Sequence, residues 1–372
     1  MIVPTVTNLQ VELTSNCNAM CPGCGRNIDG LQVNPNLVVG TKGNMTQELW
    51  QKIVYNNWQN LNYIDLDGNW GDSILHPNSV EMLDEFGAHL DTLEKDNKPI
   101  LDINSNMGYH STDRWRELAK VIKKYFRNNS IVQAGLDGVD NESHQKYRKL
   151  VDFDKAIDNC KALIDEGVNV KWKFIEFDHN EHLVDEAMAM AERLGFSEFE
   201  KKTTRANSTF IHQKFDKKPE VIVNKIVEKK PNKTKQVKVD TYKGIGKTKT
   251  KELETKWKKV KKQDFSNIKC KWQQPNLKIQ IEYNGRLHQC CFLSGYYNFN
   301  TENTNNTYYN HYYNKYNSDW NDVNTNSIEE ILNHRFFQKD LIESWSNTTD
   351  SNNNPLMVRC QTKCSVAATK IS

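Results

Sequence analysis

No uninterrupted apolar run in this chain approaches 18 residues, so no membrane-spanning helix is expected. The opening MIVPTVTNLQVELTSN lacks a charged stretch followed by a long apolar one, which argues against a secretory signal. Net charge is also small, at +3. That balance conceals an asymmetry: residues 201–264 hold 21 Lys or Arg against 7 Asp or Glu, a surplus of +14 that leaves the rest near −11. Apolar residues are not scarce, and a hydrophobic fraction of 37% with 14 Tyr and 14 Phe excludes wholesale disorder. The 372 residues suffice for one large or two medium domains with a full core. Nine cysteines in an intracellular chain point to metal or catalysis rather than disulfides, and a reducing cytoplasm is the expected compartment.

Three of the cysteines form Cys17-Asn-Ala-Met-Cys21-Pro-Gly-Cys24, directly after the alternating apolar stretch Leu9–Leu13. Soft thiolates on one short loop can each take one iron of a [4Fe–4S] cube. The fourth iron then lacks a protein ligand, which suits binding of a small molecule to the metal. The alternative is structural zinc, which normally wants four closed ligands. No fourth Cys or His follows nearby in the sequence.

Along the chain, strand-like and amphipathic stretches alternate. An amphipathic segment from Gln47 precedes the strand Tyr63–Leu66. A helix over Ser79–Leu93 precedes Leu101–Asn104, and another over Asp113–Arg127 precedes Ile131–Leu136. A helix over Asp154–Glu166, capped by Gly167, leads into Val170–Phe177. Finally Glu181–Leu194, with apolar residues at helical spacing and Gly195 after it, leads to a strand around Glu198–Lys202. Such a series of βα units predicts an α/β fold with a parallel sheet, helices outside and ligands at the carboxyl ends of the strands.

The C-x3-C-x2-C loop after a first strand resembles the signature of the radical S-adenosylmethionine (radical SAM) enzymes. The resemblance covers about residues 5–202 and implies a partial (β/α)6 TIM-type barrel. In that superfamily the amino and carboxylate groups of SAM chelate the vacant iron. Reduction then cleaves SAM to methionine and a 5′-deoxyadenosyl radical that abstracts hydrogen from a substrate. Cys17, Cys21 and Cys24 would be the catalytic and metal-binding residues. One departure stands out: the family usually carries an aromatic or large apolar residue just before the third cysteine, where this chain has Gly23. Asp67-Gly68-Asn69-Trp70-Gly71-Asp72 looks like a variant of the family's Gly-Gly-Glu-Pro motif, and Asp72 would contact the SAM amino group. Asn104-Ser105-Asn106-Met107-Gly108 is similar to a Thr-Asn-Gly turn. Gly135-Leu136-Asp137-Gly138, followed by His144 and Tyr147-Arg148, resembles a strand-four segment of the peptide-modifying branch. There Asp137 would line the SAM ribose or the substrate, or else cap a turn. Asn180, after strand five, is expected to face the barrel mouth.

A second cysteine group reads C-x14-G-x4-C…C-x3-C, from Cys270, Gly285, Cys290, Cys360 and Cys364. The stretch Leu277–Cys290 alternates as a hairpin with Asn284-Gly285 as a type I′ turn. It would return Cys290 towards Cys270 and leave one loop to complete a closed four-thiolate site. This pattern resembles the twitch and SPASM extensions and implies an auxiliary [4Fe–4S] cluster in a small C-terminal α+β domain. A zinc ribbon is the alternative. Cys290 rather than Cys291 is the ligand on spacing, and mid-helix Cys160 reads as a core thiol. The Asn- and Tyr-rich stretch Tyr296–Asn326 carries no chemical signal, and Ser327–Trp345 reads as a helix opened by a capping box.

Three segments follow: a barrel at 1–202, a basic linker or insertion at 203–264, and an auxiliary-cluster domain at 265–372. The segment 201–264 suits a solvated tether or a contact with nucleic acid or an acidic peptide. The resemblance implies a peptide or protein substrate and an electron donor such as flavodoxin or ferredoxin. The competing reading is a non-catalytic iron–sulfur or zinc protein, either an electron carrier or a nucleic-acid-binding module.

Overall fold

The structure, a computed structural model, describes residues 5–34, 37, 42–93, 97–203, 210–214, 268–272, 276–298, 316, 319–346, 357, 360 and 364. Strand β1 (Val6–Val11) lies inside a nine-stranded sheet. On one side the sheet continues through β4 (Tyr63–Leu66), β5 (Ile100–Ser105), β6 (Ile131–Gly135), β7 (Asn169–Glu176) and β8 (Glu198–Thr203), all parallel and in chain order. The two-stranded ribbon β2 (Asn27–Ile28) and β3 (Gln32–Val33) stands apart. These six strands are the ones expected from the alternating pattern.

Helices α1 (Gln47–Val54), α2 (Ser79–Thr92), α3 (Thr112–Tyr125), α4 (Asn141–Gln145), α5 (Phe153–Asp165) and α6 (Val184–Leu194) connect the strands. Their ends follow from local chemistry. Ser111 and Asp152 cap α3 and α5 by accepting from Arg114 and Lys155 N–H. Gly167 (φ 82°) and Gly195 (φ 85°) end α5 and α6 in the left-handed region, which glycine enters without a Cβ penalty. The expected helix at Glu181 instead begins with a 3-10 turn, Glu181–Leu183.

Period-two alternation along the strands sorts the sheet into two faces. Leu9, Val11, Ile64, Leu66, Ile103, Val132, Trp172, Phe174 and Phe199 are buried in the main core. The opposite face carries Gln10, Glu12, Asp65, Asp102, Asn104, Gln133, Lys171, Lys173 and Glu200. That face is cross-linked by polar pairs, among them Lys171 with Glu198 (2.8 Å) and Lys278 with Asp65 (3.2 Å).

Three expectations need correction. The hairpin β10 (Leu277–Ile281) and β11 (Leu287–His288) continues the main sheet, because β10 pairs parallel with β1. Its turn is not type I′. Of Asn284 and Gly285 only the glycine has positive φ (93°); Gly285 N–H donates to Glu282 O and Glu282 N–H to Arg286 O, a type I turn closed by a glycine bulge. Residues 203–264 are not all connector: β9 (Phe210–Lys214) pairs antiparallel with β8. Five residues amid so many lysines leave too short a period to read. The proposed nucleic-acid contact at 201–264 falls mostly outside the described residues.

The helix expected over Ser327–Trp345 breaks in two places. The capping box of Ser327 and Glu330 is present and opens α8 (Ile328–Asn333), which follows α7 (Cys291–Asn298). At His334 the backbone turns extended, and its ring stacks on Trp320 at 4.7 Å. A π-helical turn, Phe336–Asp340, then leads to α9 (Leu341–Ser346). Packing of an aromatic cluster here overrides helix continuity. Trp345, in α9, lies beside Cys360.

Candidate active site at the carboxyl edge of the sheet

The chain leaving β1 is tied down before it reaches the first cysteine. Glu12 N–H donates to Ile281 O (3.0 Å), Met45 N–H to Leu13 O (2.8 Å) and Ser15 N–H to Gly43 O (2.9 Å). The Arg26 guanidinium donates to Ser15 O and Met20 N–H to Lys149 O. The loop that follows presents Cys17, Cys21 and Cys24 close enough to perturb one another's charge. Burial pushes the Cys17 thiol up to about 12, with Asp72 adding to the rise. Burial likewise pushes Cys21 up to about 11, against the pull of the Arg148 guanidinium beside it.

Two of the expected motifs close on this loop. Asp72 N–H donates to Asn16 O at 2.8 Å, so the Gly68–Asp72 turn lies against the backbone just before Cys17. The approach requires glycine: a Cβ at Gly71 would strike the Thr14 carbonyl oxygen, and one at Gly68 would strike Gly71 O. Asp72 itself is 4% exposed. Its carboxylate accepts from Ser105 Oγ (2.9 Å), Asn106 N–H (2.8 Å) and Ile74 N–H (3.3 Å). Burial raises its pKa and these donors oppose the rise. Asn106 then reaches the cysteine loop, donating to Asn18 Oδ1 at 2.8 Å and lying 3.7 Å from Cys17 Sγ. Motifs 34 and 88 residues apart in the chain thus form one brace. Asn69 is half-buried near Gln280, and Asn104 accepts from Lys173 Nζ at 2.8 Å on the polar face of the sheet.

Two expected ligand-facing residues are structural instead. Asn180 does not face the mouth: it is fully buried, donating to Asp137 O and Ile175 O and accepting from Phe177 N–H. Its amide groups replace strand hydrogen bonds that the chain loses on leaving β7. Asp137 is also fully buried. It accepts from Arg148 Nε (2.6 Å) and Ile175 N–H (2.6 Å). Burial pulls the Arg148 guanidinium down, but Asp137 and Cys21 hold it above its ordinary value. Arg148 and Tyr147 entered the sequence reading only as parts of the strand-four segment; the structure puts both beside the cysteines. The spacing from Asp137 through His144 to Arg148 was the available signal.

His144 makes the same segment acid-sensitive. Its Nδ1 accepts from Asp137 N–H at 3.2 Å, and burial holds its pKa down at about 3. The neutral ring belongs to the fold, so stability is present above the unfolded pKa near 6.5 and is lost as pH falls below it. Between pH 7 and pH 5 this group alone should remove about 2 kcal/mol. Denaturant titrations at both pH values check this, and His144→Asn, which keeps an acceptor but cannot titrate, should abolish that increment.

The second cysteine group also converges. Cys360 lies within electrostatic reach of Cys290, Cys364 and Cys270, and Lys269 N–H donates to Cys364 O. Burial pushes Cys270 up to about 11 and Cys290 up to about 12. Cys291 turns the other way, towards Lys278, Asp67 and Asp65 on the polar face. Cys160 is a buried core thiol in α5.

Among the described residues, no three His, Cys, Asp or Glu side chains converge closely enough for a single metal ion. Four-coordinate zinc would require that, with Zn–S near about 2.3 Å. No helix of the described residues is long and apolar enough to cross a membrane.

No protein-family profile matches the chain, and no curated protein matches it. Solved structures do. Streptococcus suis SuiB bound to S-adenosylmethionine aligns with a TM-score of 0.51 at 11% identity, covering 93% of this chain and 69% of SuiB. Polyhistidine-tagged anSMEcpe with bound AdoMet aligns at 0.52 and 14%, covering 97% and 86%. Native anSMEcpe with bound AdoMet and Cp18Cys peptide aligns at 0.50 and 12%, covering 97% and 89%. At such identities the likeness is one of fold: this chain shares the fold of SuiB and anSMEcpe.

Proposed function

We propose that the protein is a radical SAM enzyme, and the observation that carries this reading is the braced Cys17, Cys21 and Cys24 loop at the carboxyl edge of the sheet. Cys17, Cys21 and Cys24 would hold a [4Fe–4S] cluster, which when reduced supplies cleavage of SAM to methionine and a 5′-deoxyadenosyl radical. Asn106 and the Gly68–Asp72 turn fix the loop from behind. Asp72, within electrostatic reach of Cys17, would contact the SAM amino group. Arg148, beside Cys21, offsets the negative charge of thiolate ligands and leaves guanidinium N–H groups for a carboxylate. The test is anaerobic reconstitution with iron and sulfide, then dithionite and SAM, with 5′-deoxyadenosine measured by chromatography. A protein with a filled cluster that yields none of it is not such an enzyme, and the electron-carrier reading takes over.

Cys270, Cys290, Cys360 and Cys364 are assigned to an auxiliary [4Fe–4S] cluster, since Cys290 lies within electrostatic reach of Cys270 and Cys360, whereas Cys291 turns towards Lys278, Asp67 and Asp65. Cys270→Ala together with Cys360→Ala should lower iron by about four atoms per chain while the first site keeps its own. Unchanged iron content would sink this assignment. A peptide is the substrate class we favour, because anSMEcpe is described with a bound peptide. The electron would come from a flavodoxin or ferredoxin.

A further inference from the structure

On the radical SAM reading, SAM held at the cluster by its amino-acid end would lay its flat, weakly hydrated purine on the protein surface beside the cysteines. Position 23, next to Cys24, is glycine and offers no ring for it. The space above Gly23 is nevertheless filled. A Cβ there would lie 3.1 Å from the Tyr147 hydroxyl and 3.4 Å from its ring carbon Cε2. Tyr147 comes from the segment after β6, far along the chain, and Cys21 and Cys24 both lie within its electrostatic reach. Its ring meets Phe177 at 4.3 Å between centroids, and Phe177 in turn stacks on His179 at 5.3 Å with 12° between planes. The Arg148 guanidinium lies 5.6 Å from the Tyr147 centroid. Tyr147 is buried, while Phe177 and His179 are half-buried.

We propose, resting on the radical SAM reading, that Tyr147 replaces in space the aromatic side chain that position 23 lacks. Tyr147 and Phe177 then form the wall against which the adenine of SAM lies. Glycine at 23 is the complement of this arrangement: a larger residue there would displace the tyrosine, and a smaller one at 147 would leave a hole beside Cys24. Aromatic contact with a base tolerates changes of hydrogen bonding but not loss of the ring.

The experiment measures S-adenosylhomocysteine binding by calorimetry to the anaerobically reconstituted full-length protein, with iron content and thermal midpoint measured on each variant. Tyr147→Phe should bind within about twofold of wild type, and Tyr147→Leu about tenfold or more weakly. Gly23→Phe alone should weaken binding by crowding Tyr147, and the pair Gly23→Phe with Tyr147→Ala should recover most of the loss. A Tyr147→Leu protein with full iron and wild-type affinity overturns the assignment. If that variant loses iron, the paired swap decides: full iron without S-adenosylhomocysteine binding overturns the proposal, and recovered binding supports it. Wild type with a filled cluster and no affinity for S-adenosylhomocysteine would instead bring down the SAM reading itself, and the proposal with it.

Discussion

Cys17→Ala is expected to lower iron from about eight to about four atoms per chain, given two [4Fe–4S] clusters, and to abolish 5′-deoxyadenosine formation. Cys17 is the thiol nearest Asn106 and Asp72, so its loss removes a ligand where the bracing is densest. The backbone bonds that hold the loop, from Ser15, Met20 and Asp72 N–H, do not involve the thiol. The fold should therefore survive, and the auxiliary site, built from residues beyond 268, should keep its iron. Iron analysis and product chromatography on the same preparation check both halves. Cys160→Ala is the control: that thiol lies in the apolar core under α5, and its removal should leave iron and product formation at wild-type levels. Full activity in Cys17→Ala would show that the loop is not the radical centre.

Much of the framework was legible in the sequence because it rests on local rules. The six parallel strands announced themselves by alternating runs between amphipathic helices, and Gly167 and Gly195 marked helix ends through their left-handed φ. The cysteine spacings named both metal candidates. What escaped depends on pairings with no local signature. Nothing in Leu277–Ile281 says that it will lie beside β1, because a strand's neighbour is set by the whole topology. Asp137 and Asn180 looked like ligand residues because polar side chains at strand ends often are. In the fold each satisfies buried backbone groups that an irregular turn leaves without partners. Tyr147 is the converse: an aromatic residue after a helix reads as ordinary core, and only the fold brings its ring against the bare backbone of Gly23.

Asp137→Ala should destabilise the protein by about 3–5 kcal/mol, the cost of breaking a buried ion pair on one side. Its carboxylate is fully buried, and the Arg148 side chain is 18% exposed, so little water is available to take the place of the lost partner. The substitution also strips Ile175 N–H of its acceptor at the end of β7. Chemical denaturation measures the loss, and less than about 1 kcal/mol would mean that water reaches the pair and that it braces nothing. Stability and site chemistry can then be separated. Asp137→Leu combined with Arg148→Met removes both charges together, and replacing a buried pair by apolar groups is often neutral or better for the fold. If Arg148 is the counter-charge beside Cys21, the double variant should regain stability yet still bind S-adenosylhomocysteine poorly. Recovery of both together would reduce the pair to a packing element and leave the charge beside Cys21 without a function.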